Sequence, residues 1–337
     1  MNVSPMLALA PMQSVTDLPF MRVMQKFGGP DYYVTEYFRV HEDYTVEKHI
    51  LRSITESHTG RPVYAQMIGQ DIAALVRVAR ELLGYPVAGV DLNLGCPAPV
   101  VCRKDAGGGL LRKLDKMEAI LSALREAIPG KFTVKTRVGY ESRDEFDALL
   151  AVFARCNIDL LTIHGRTVKE RYQTPVHTDC ILRAVEQMSC PVVANGNVVD
   201  VETGRGFLKK SNAAGLMIGR GAIRNPWIFD QLRASFLGED VKVVRRSDLL
   251  EYVTLLYQVV ASETRKYEEG KHVNRMKKYM IYIAQGLDDE FEQQIRRATS
   301  GEEFHSICQH FLDGDAVVPI LPPENSKLFC GFNALRS

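Results

Sequence analysis

At 337 residues the chain is longer than one small domain and matches the length of one (β/α)8 barrel plus a modest second unit. An apolar fraction of 46% and a charged fraction of 25% are those of an ordinary globular protein, and a net charge of +1 excludes a strong overall field, so any nucleic-acid contact must come from basic groups concentrated locally. Seven cysteines without paired or zinc-type spacing exclude a disulfide framework, and with no basic signal-peptide start and no bilayer-length apolar run the expected compartment is the reducing cytoplasm, with no membrane contact.

Short apolar runs alternate with amphipathic segments about eight times. The expected strands are Leu7–Ala10, Tyr33–Glu36, Val63–Met67, Gly89–Asn93, Thr133–Arg137, Leu160–His164, Val192–Asn195 and Gly215–Ile218. Helical patterns lie between them, over Ile72–Leu83, Met117–Ile128, Glu145–Cys156 and Ile181–Met188. In the first of these, Ile72, Leu75, Val76, Ala79, Leu82 and Leu83 recur at spacings of three and four. Strands separated by helices imply a parallel sheet covered on its outer face, and eight such units imply a closed (β/α)8 TIM barrel. An open doubly wound sheet is the alternative, but it usually carries an early GxGxxG, which this chain lacks.

The barrel is expected to occupy residues 1–237. Gly238-Glu239-Asp240 and the pair Arg245-Arg246 read as a linker. A helical unit is expected over 247–312, its first helix capped by Asp248 and carrying Leu249, Val253, Leu256 and Val260 on one face. A second helix carries Val273, Met276, Met280 and Ile283, and one or two more run from about Asp289 to Leu312. The tail, 313–337, has Pro319, Pro322 and Pro323 and no period, so an irregular arm is expected.

In such a barrel the chemistry sits at the C-terminal ends of the strands. Those ends carry Pro11-Met12, Glu36, Gln66, Asn93 and Cys96, Lys135 and Arg137, His164 and Arg166, Asn195-Gly196-Asn197 and Gly219-Arg220-Gly221. The run Val90–Pro97 lifts the Cys96 thiol off a buried strand, because Pro97 forbids its continuation. An isolated Gly-Cys-Pro is as readily a small buried hydrophobe. Asn195–Asn197 and Gly219–Gly221 follow the seventh and eighth strands, where barrels bind phosphate through backbone N–H groups. Asn-Gly alone is also a plain turn. Lys135 and Arg137 share one strand face by period two, and a buried lysine needs an anion or an electron-rich ring. His164 beside Arg166 is a poor metal ligand, and no carboxylate cluster points to a metal.

The motifs LAPM (Leu9–Met12) with Val15-Thr16-Asp17, Thr35-Glu36, DLNLGCP (Asp91–Pro97), AGGGLL (Ala106–Leu111), VKTR (Val134–Arg137), HGRT (His164–Thr167), Ala194–Gly196 and MIGRGAIRNPWIF (Met217–Phe229) follow one another as in the tRNA-dihydrouridine synthases. The chain resembles that family densely over about residues 5–235, and TEYFRV (Thr35–Val40) looks most like its bacterial C-type branch. The resemblance implies FMN at the barrel mouth, NADPH as reductant, and reduction of the C5–C6 double bond of D-loop uridines in tRNA. It implies that Cys96 is the general acid, that Pro11 and Met12 touch the flavin ring, and that Gln66, Lys135, His164, Asn195, Gly196, Asn197, Gly219 and Arg220 hold the cofactor. Asn93 and Arg166 are then expected to line the uridine pocket. Three departures are visible: Gln13-Ser14 stand where members often carry Ala-Gly, Ala98-Pro99 follow the Gly-Cys-Pro where a lysine is common, with Arg103-Lys104 as its substitute, and Cys180 stands where a tryptophan is frequent after the sixth strand.

The expected RNA platform is the helical unit, where Lys271, Arg275 and Lys278 fall at spacings of four and three. From Arg265 to Lys278 there are six basic and two acidic residues. A solvated helix face is the other reading of this stripe, in which case RNA docks through Arg39, Arg103 and Lys104 around the mouth. Two other functions fit parts of the pattern: an FMN barrel reducing a free pyrimidine or another small molecule, and a non-catalytic RNA-binding barrel, which the intact Cys96, Lys135 and His164 disfavour. No obligate protein partner is evident in the sequence.

Overall fold

The computed structural model describes residues 4–264, 267–319, 321–323, 326 and 328–329. Nine strands are present among them: β1 Met6–Leu9, β2 Tyr32–Val34, β3 Phe38–Arg39, β4 Val63–Ile68, β5 Gly89–Leu94, β6 Phe132–Arg137, β7 Leu160–His164, β8 Val192–Asn195 and β9 Gly215–Ile218. All pairings are parallel, each strand from β4 to β9 pairs with the next, β9 pairs with β1, β1 with β2, and β2 with β4, which closes the ring. The fold is the expected eight-stranded barrel, and the open sheet is excluded.

Period two explains how one sequence lines two environments. In β5, Val90, Leu92 and Leu94 pack into the outer core, while Asp91 and Asn93 take the other face. The barrel floor is apolar, from Ala8, Ala10, Tyr32, Val34, Val193 and Met217. One layer higher the interior becomes polar, with Gln66, Asp91, Thr133 and Thr162 all buried. The expected second strand, Tyr33–Glu36, is interrupted. Val34 lies opposite Tyr64 and Phe38 opposite Met67, so three residues, Thr35, Glu36 and Tyr37, face two. This is a bulge. The Thr35 hydroxyl accepts the Gln66 N–H at 3.0 Å and so replaces the missing ladder carbonyl.

The outer layer is α1 Leu18–Lys26, α2 Lys48–Thr55, α3 Ile72–Leu82, α4 Pro99–Cys102, α5 Leu114–Ala127, α6 Phe146–Arg155, α7 Thr178–Gln187, α8 Val201–Ser211, α9 Arg220–Arg224 and α10 Ile228–Leu237. Asp71 caps α3 through the Ala74 N–H at 2.8 Å, and Gly238, at φ 73°, ends α10 where the barrel was expected to stop. Four helices follow: α11 Arg246–Ser262, α12 Glu269–Ile283, α13 Asp289–Arg297 and α14 Gly301–Leu312. Asp248 is not the cap of α11. The helix begins two residues earlier, and Asp248 reaches back to the Arg245 N–H at 2.7 Å. The described part of the tail is partly ordered, since Val318 N–H donates to Val244 O at 2.9 Å.

One continuous apolar core joins the barrel's outer helices to α11–α14. Phe20 stacks on Tyr279 with centroids 5.6 Å apart, and the Tyr279 hydroxyl donates to Val15 O at 3.0 Å. Arg275 binds Asp17 at 2.5 Å, and Glu263 binds Arg22 and Arg52. Arg224, 4% exposed, donates to Gln285 O at 2.6 Å, Ile283 O at 3.1 Å and Pro319 O at 2.7 Å, so it terminates α12 from the barrel side. Burial lowers its guanidinium to about 10, still charged at neutral pH. Arg224→Met removes these donors and leaves buried carbonyls unpaired, a loss of about 3 kcal/mol or more. Trp227, the one tryptophan of the sequence, packs against Tyr252 of α11 with centroids 6.2 Å apart. Its fluorescence in a urea titration should therefore show the transition move to lower urea in this variant.

Candidate active site

The C-terminal ends of the strands surround a cavity of about 550 Å³. Of the residues expected at the site, Pro11, Met12, Asn93, Cys96, Lys135, His164, Asn195, Gly196, Gly219 and Arg220 line it together. Gln66, Arg166 and Asn197 stand behind that lining. Arg39, Arg103 and Lys104 are exposed and lie outside it. The sequence reading had not placed Tyr37, Arg171, Tyr172, Gln173 or Tyr282 here, and Arg137 entered it only as a strand-end cation. Tyr282 comes from the end of α12, so the helical segment completes the wall. No sequence signal announces that contact, because it depends on how α12 docks.

A line of directed hydrogen bonds sets the position of Cys96. Asp91 accepts from Thr133 at 2.6 Å and from the Gln66 amide at 2.8 Å. Gln66 in turn accepts from the Asn93 amide at 2.8 Å, and the Asn93 carbonyl accepts the N–H groups of Gly95 at 3.0 Å and Cys96 at 2.9 Å. Gln66 is fully buried and acts through Asn93. Burial brings the Asp91 carboxyl up to about 6, against the pull of Thr133, Gln66 and Lys135. The Cys96 thiol ends half-buried in the cavity, while Cys102 is buried, with its thiol donating to Cys96 O at 3.4 Å.

The electrostatics of the mouth are one-sided. Lys135, Arg137, Arg171 and Arg220 line the cavity, and no Asp or Glu does so among the described residues. Arg137 is spent on carbonyls, those of Gly95 at 2.9 Å, Thr167 at 2.8 Å and Arg171 at 2.8 Å. Arg166, 1% exposed, donates to Thr174 O at 2.6 Å and Asn197 Oδ1 at 3.2 Å, and lies 3.2 Å from His164 Nε2. Burial, then the nearby Arg137, Lys135 and Arg166, hold His164 well below its ordinary range, so its ring is neutral. Arginine can only donate, so Nε2 accepts and Nδ1 carries the proton. Burial and Arg220 bring Arg166 down to about 10. A cavity lined by cations and, among the described residues, by no Asp or Glu fits an anionic ligand. Two glycines of the expected phosphate site also meet a packing requirement. A Cβ on Gly196 would meet the Phe207 ring at 2.9 Å, and one on Gly221 would meet Val198 O at 2.1 Å. Their small size serves packing.

A family model described as dihydrouridine synthase (Dus) matches residues 8–315. The chain belongs to the dihydrouridine synthase family. This synthase is 33% identical over 262 residues to a tRNA-dihydrouridine(16) synthase of Pseudomonas syringae pv. tomato, covering 75% of this chain and 82% of that one. It is 30% identical over 298 residues to tRNA-dihydrouridine synthase B of Pasteurella multocida, covering 88% and 89%. Among solved structures, histamine dehydrogenase from Rhizobium sp. 4-9 superposes with a TM-score of 0.53 at 12% identity, over 76% of this chain and 50% of that one, a likeness of barrel fold. The left-handed φ of 59° at Ser14, where members often carry glycine, is held by the Ser14 N–H donating to Glu36. No described helix of the synthase is long and apolar enough to cross a membrane.

Burial first, then Arg137, lowers the Lys135 ammonium to about 8, although its Nζ donates to Asn195 Oδ1 at 3.2 Å. In the unfolded chain this proton is held to the ordinary lysine range. Between about 8 and that range the unfolded state binds more protons, so stability rises with pH, and below about 8 the full penalty is present. Lys135→Met should therefore stabilise the cofactor-free protein by about 2 kcal/mol at pH 7 and by less than half of that at pH 9.5. Urea unfolding at the two pH values measures both.

Proposed function

We propose that this chain reduces the C5–C6 double bond of D-loop uridines in tRNA, with FMN held at the barrel mouth and NADPH as reductant, in the cytoplasm. The observation that carries the reading is the meeting of the Cys96 thiol with Lys135, Arg137, Arg171 and Arg220 in one cavity that, among the described residues, no Asp or Glu lines. FMN fits that donor set. Lys135 would offset negative charge on a reduced ring, Arg220 and the backbone at Gly196 and Gly219 are the candidates for phosphate, and Pro11 and Met12 would offer the ring an apolar edge. When bound there, the cofactor supplies the hydride that goes to C6 of uracil.

The chain's own residues do the rest. Cys96 gives its proton to C5, so that one hydride and one proton together saturate the bond. Asn93 fixes the loop that aims the thiol. Burial and Arg137 keep His164 neutral, Arg166 orients it, and Arg137 and Tyr172, with the guanidinium 5.3 Å from the ring centroid, wall the space left for the base. A uridine can enter only after leaving its stack. The barrel, 1–237, carries this chemistry, and the helical unit, 247–312, holds the RNA. Of the basic stripe, Lys271 and Lys278 are exposed, whereas Arg275 is tied to Asp17. Arg265 and Lys266 lie outside the described residues. A free pyrimidine would need neither the helical unit nor its cations.

Cys96→Ala should retain flavin and its reduction by NADPH but lose about 10²–10⁴-fold in dihydrouridine formation on tRNA. Cys102→Ala should lose no more than about threefold, since only a weak thiol donor is removed. Stopped-flow absorbance of the flavin, followed by quantification of dihydrouridine, separates the two half-reactions. Equal activity of the Cys96 variant and the unchanged protein would remove the thiol from the mechanism.

Lys271→Gln combined with Lys278→Gln should weaken tRNA binding and reduce the log–log salt slope by about 1.5, from roughly 0.7–0.9 per phosphate contact. Titration of tRNA at several salt concentrations gives the slope. Coincident slopes would assign the RNA to Arg39, Arg103 and Lys104 instead.

A further inference from the structure

Tyr37 ends the bulge between β2 and β3, and it lines the cavity of Cys96, whereas its neighbour Glu36 lines a separate pocket with Asp17 and Arg275. Tyr37 and Cys96 pack on the same apolar patch, formed by Ile68, Val101 and Ala106. The half-buried phenol and the thiol are in hydrogen-bonding contact across the cavity wall. From the solvent side the exposed Arg39 donates to the Tyr37 oxygen at 3.3 Å.

These partners fix the direction of the phenol–thiol bond. Arginine has no acceptor, so Arg39 takes a lone pair of the phenol and leaves the phenol's hydrogen free. Burial above all holds the phenol above its ordinary range, against the pull of Arg39, so that hydrogen stays on at neutral pH. The hydroxyl therefore donates to the sulfur, and the S–H of Cys96 is left to point into the cavity. The other groups near this sulfur act differently. Lys135 and Arg137 act on it through their charge, and the Cys102 thiol donates to the Cys96 carbonyl instead. A hydrogen bond to sulfur strengthens as negative charge develops there, so this contact favours the state in which the thiol has given up its proton.

We propose that Tyr37 is a positioning residue for Cys96: its hydroxyl donates to the sulfur, turns the S–H toward the substrate, and stabilises the thiolate left when that proton goes to C5 of uracil. In that step the S–H bond breaks and a C5–H bond forms. The electron pair of the S–H bond stays on sulfur, and Tyr37 keeps its own proton. The proposal rests on the reading of Cys96 given above and adds to it the group that sets the acidity of the thiol.

The test compares Tyr37→Phe with the unchanged protein, both full-length and flavin-loaded. Phenylalanine keeps the ring on its apolar patch and removes only the donor. In the first measurement, without RNA, alkylation of Cys96 by iodoacetamide is followed between about pH 6 and about pH 10 by mass spectrometry of the peptide that carries it. The variant should react about 10-fold more slowly at pH 7, and the difference should close toward the alkaline end, where the thiolate forms without the donor. In the second, the reduced flavin of each protein is mixed anaerobically with unmodified tRNA. Its reoxidation should be about 10-fold slower in the variant, with flavin occupancy and reduction by NADPH unchanged. An unchanged alkylation profile, a rate lowered by the same factor at every pH, or an unchanged reoxidation rate overturns this proposal alone. Reduced flavin of the unchanged protein that tRNA does not reoxidise overturns it together with the reading of the Cys96 site.

Discussion

Positive charge buried without a protein counter-ion is the constraint around which this molecule is arranged. Lys135, Arg137, His164 and Arg166 converge on one barrel mouth, and burial together with mutual repulsion pulls each of them toward its neutral form. Carbonyls rather than carboxylates satisfy Arg137 and most of Arg166. That choice keeps the lining of the mouth cationic, with no Asp or Glu on it among the described residues. A carboxylate placed there would stabilise the empty protein and weaken any anionic cofactor. The cluster thus exchanges stability for binding, as functional sites commonly do.

The same barrel interior holds a negative group that partly offsets the repulsion on Lys135 from below. Asp91 lies one layer below the mouth, and its charge is spent on Thr133 and Gln66. Through Gln66 and Asn93 it governs the orientation of two amides and the loop of Cys96. Each link fixes the donor and acceptor sense of the next, so the position of the thiol is set by a chain of hydrogen bonds rather than by packing alone. Around this rigid centre the wall is completed from outside the barrel. Tyr282 reaches the cavity only because Arg224 ends α12 against the barrel and Arg275 anchors it to Asp17.

Much of this was legible before any coordinates. The eight strands were readable because each is short, apolar on alternate residues and separated from the next by a helix of period 3.6. Their C-terminal ends named most of the cavity, since Cys96, Lys135, His164, Asn195 and Gly219 lie at or near the ends of successive strands. Less was legible where contacts bridge distant segments. Asp248 read as a cap because an acidic residue before an apolar run is the usual signal, yet the chain entered the helix earlier. Arg275 read as one member of an RNA-facing stripe, because spacing tells which face a residue shares but not what stands opposite. Gly196 and Gly221 read as ligand contacts, and no local pattern showed that Phe207 and Val198 also fill the space that a Cβ would take.

By itself, the sequence determined the barrel, the identity of the strand-end residues and the family, because hydrophobic period and local motif depend only on residues near one another in the chain. The tertiary structure decided which of those residues share a cavity and which stand behind it. It placed Gln66 in a supporting layer, Glu36 and Tyr37 on opposite sides of a bulge, and Tyr282 in a wall that it could reach only after docking. The reason is physical. Register, bulges and helix docking are set by the closure of the whole ring and by buried polar groups seeking partners across tens to hundreds of residues, and no local pattern encodes that outcome.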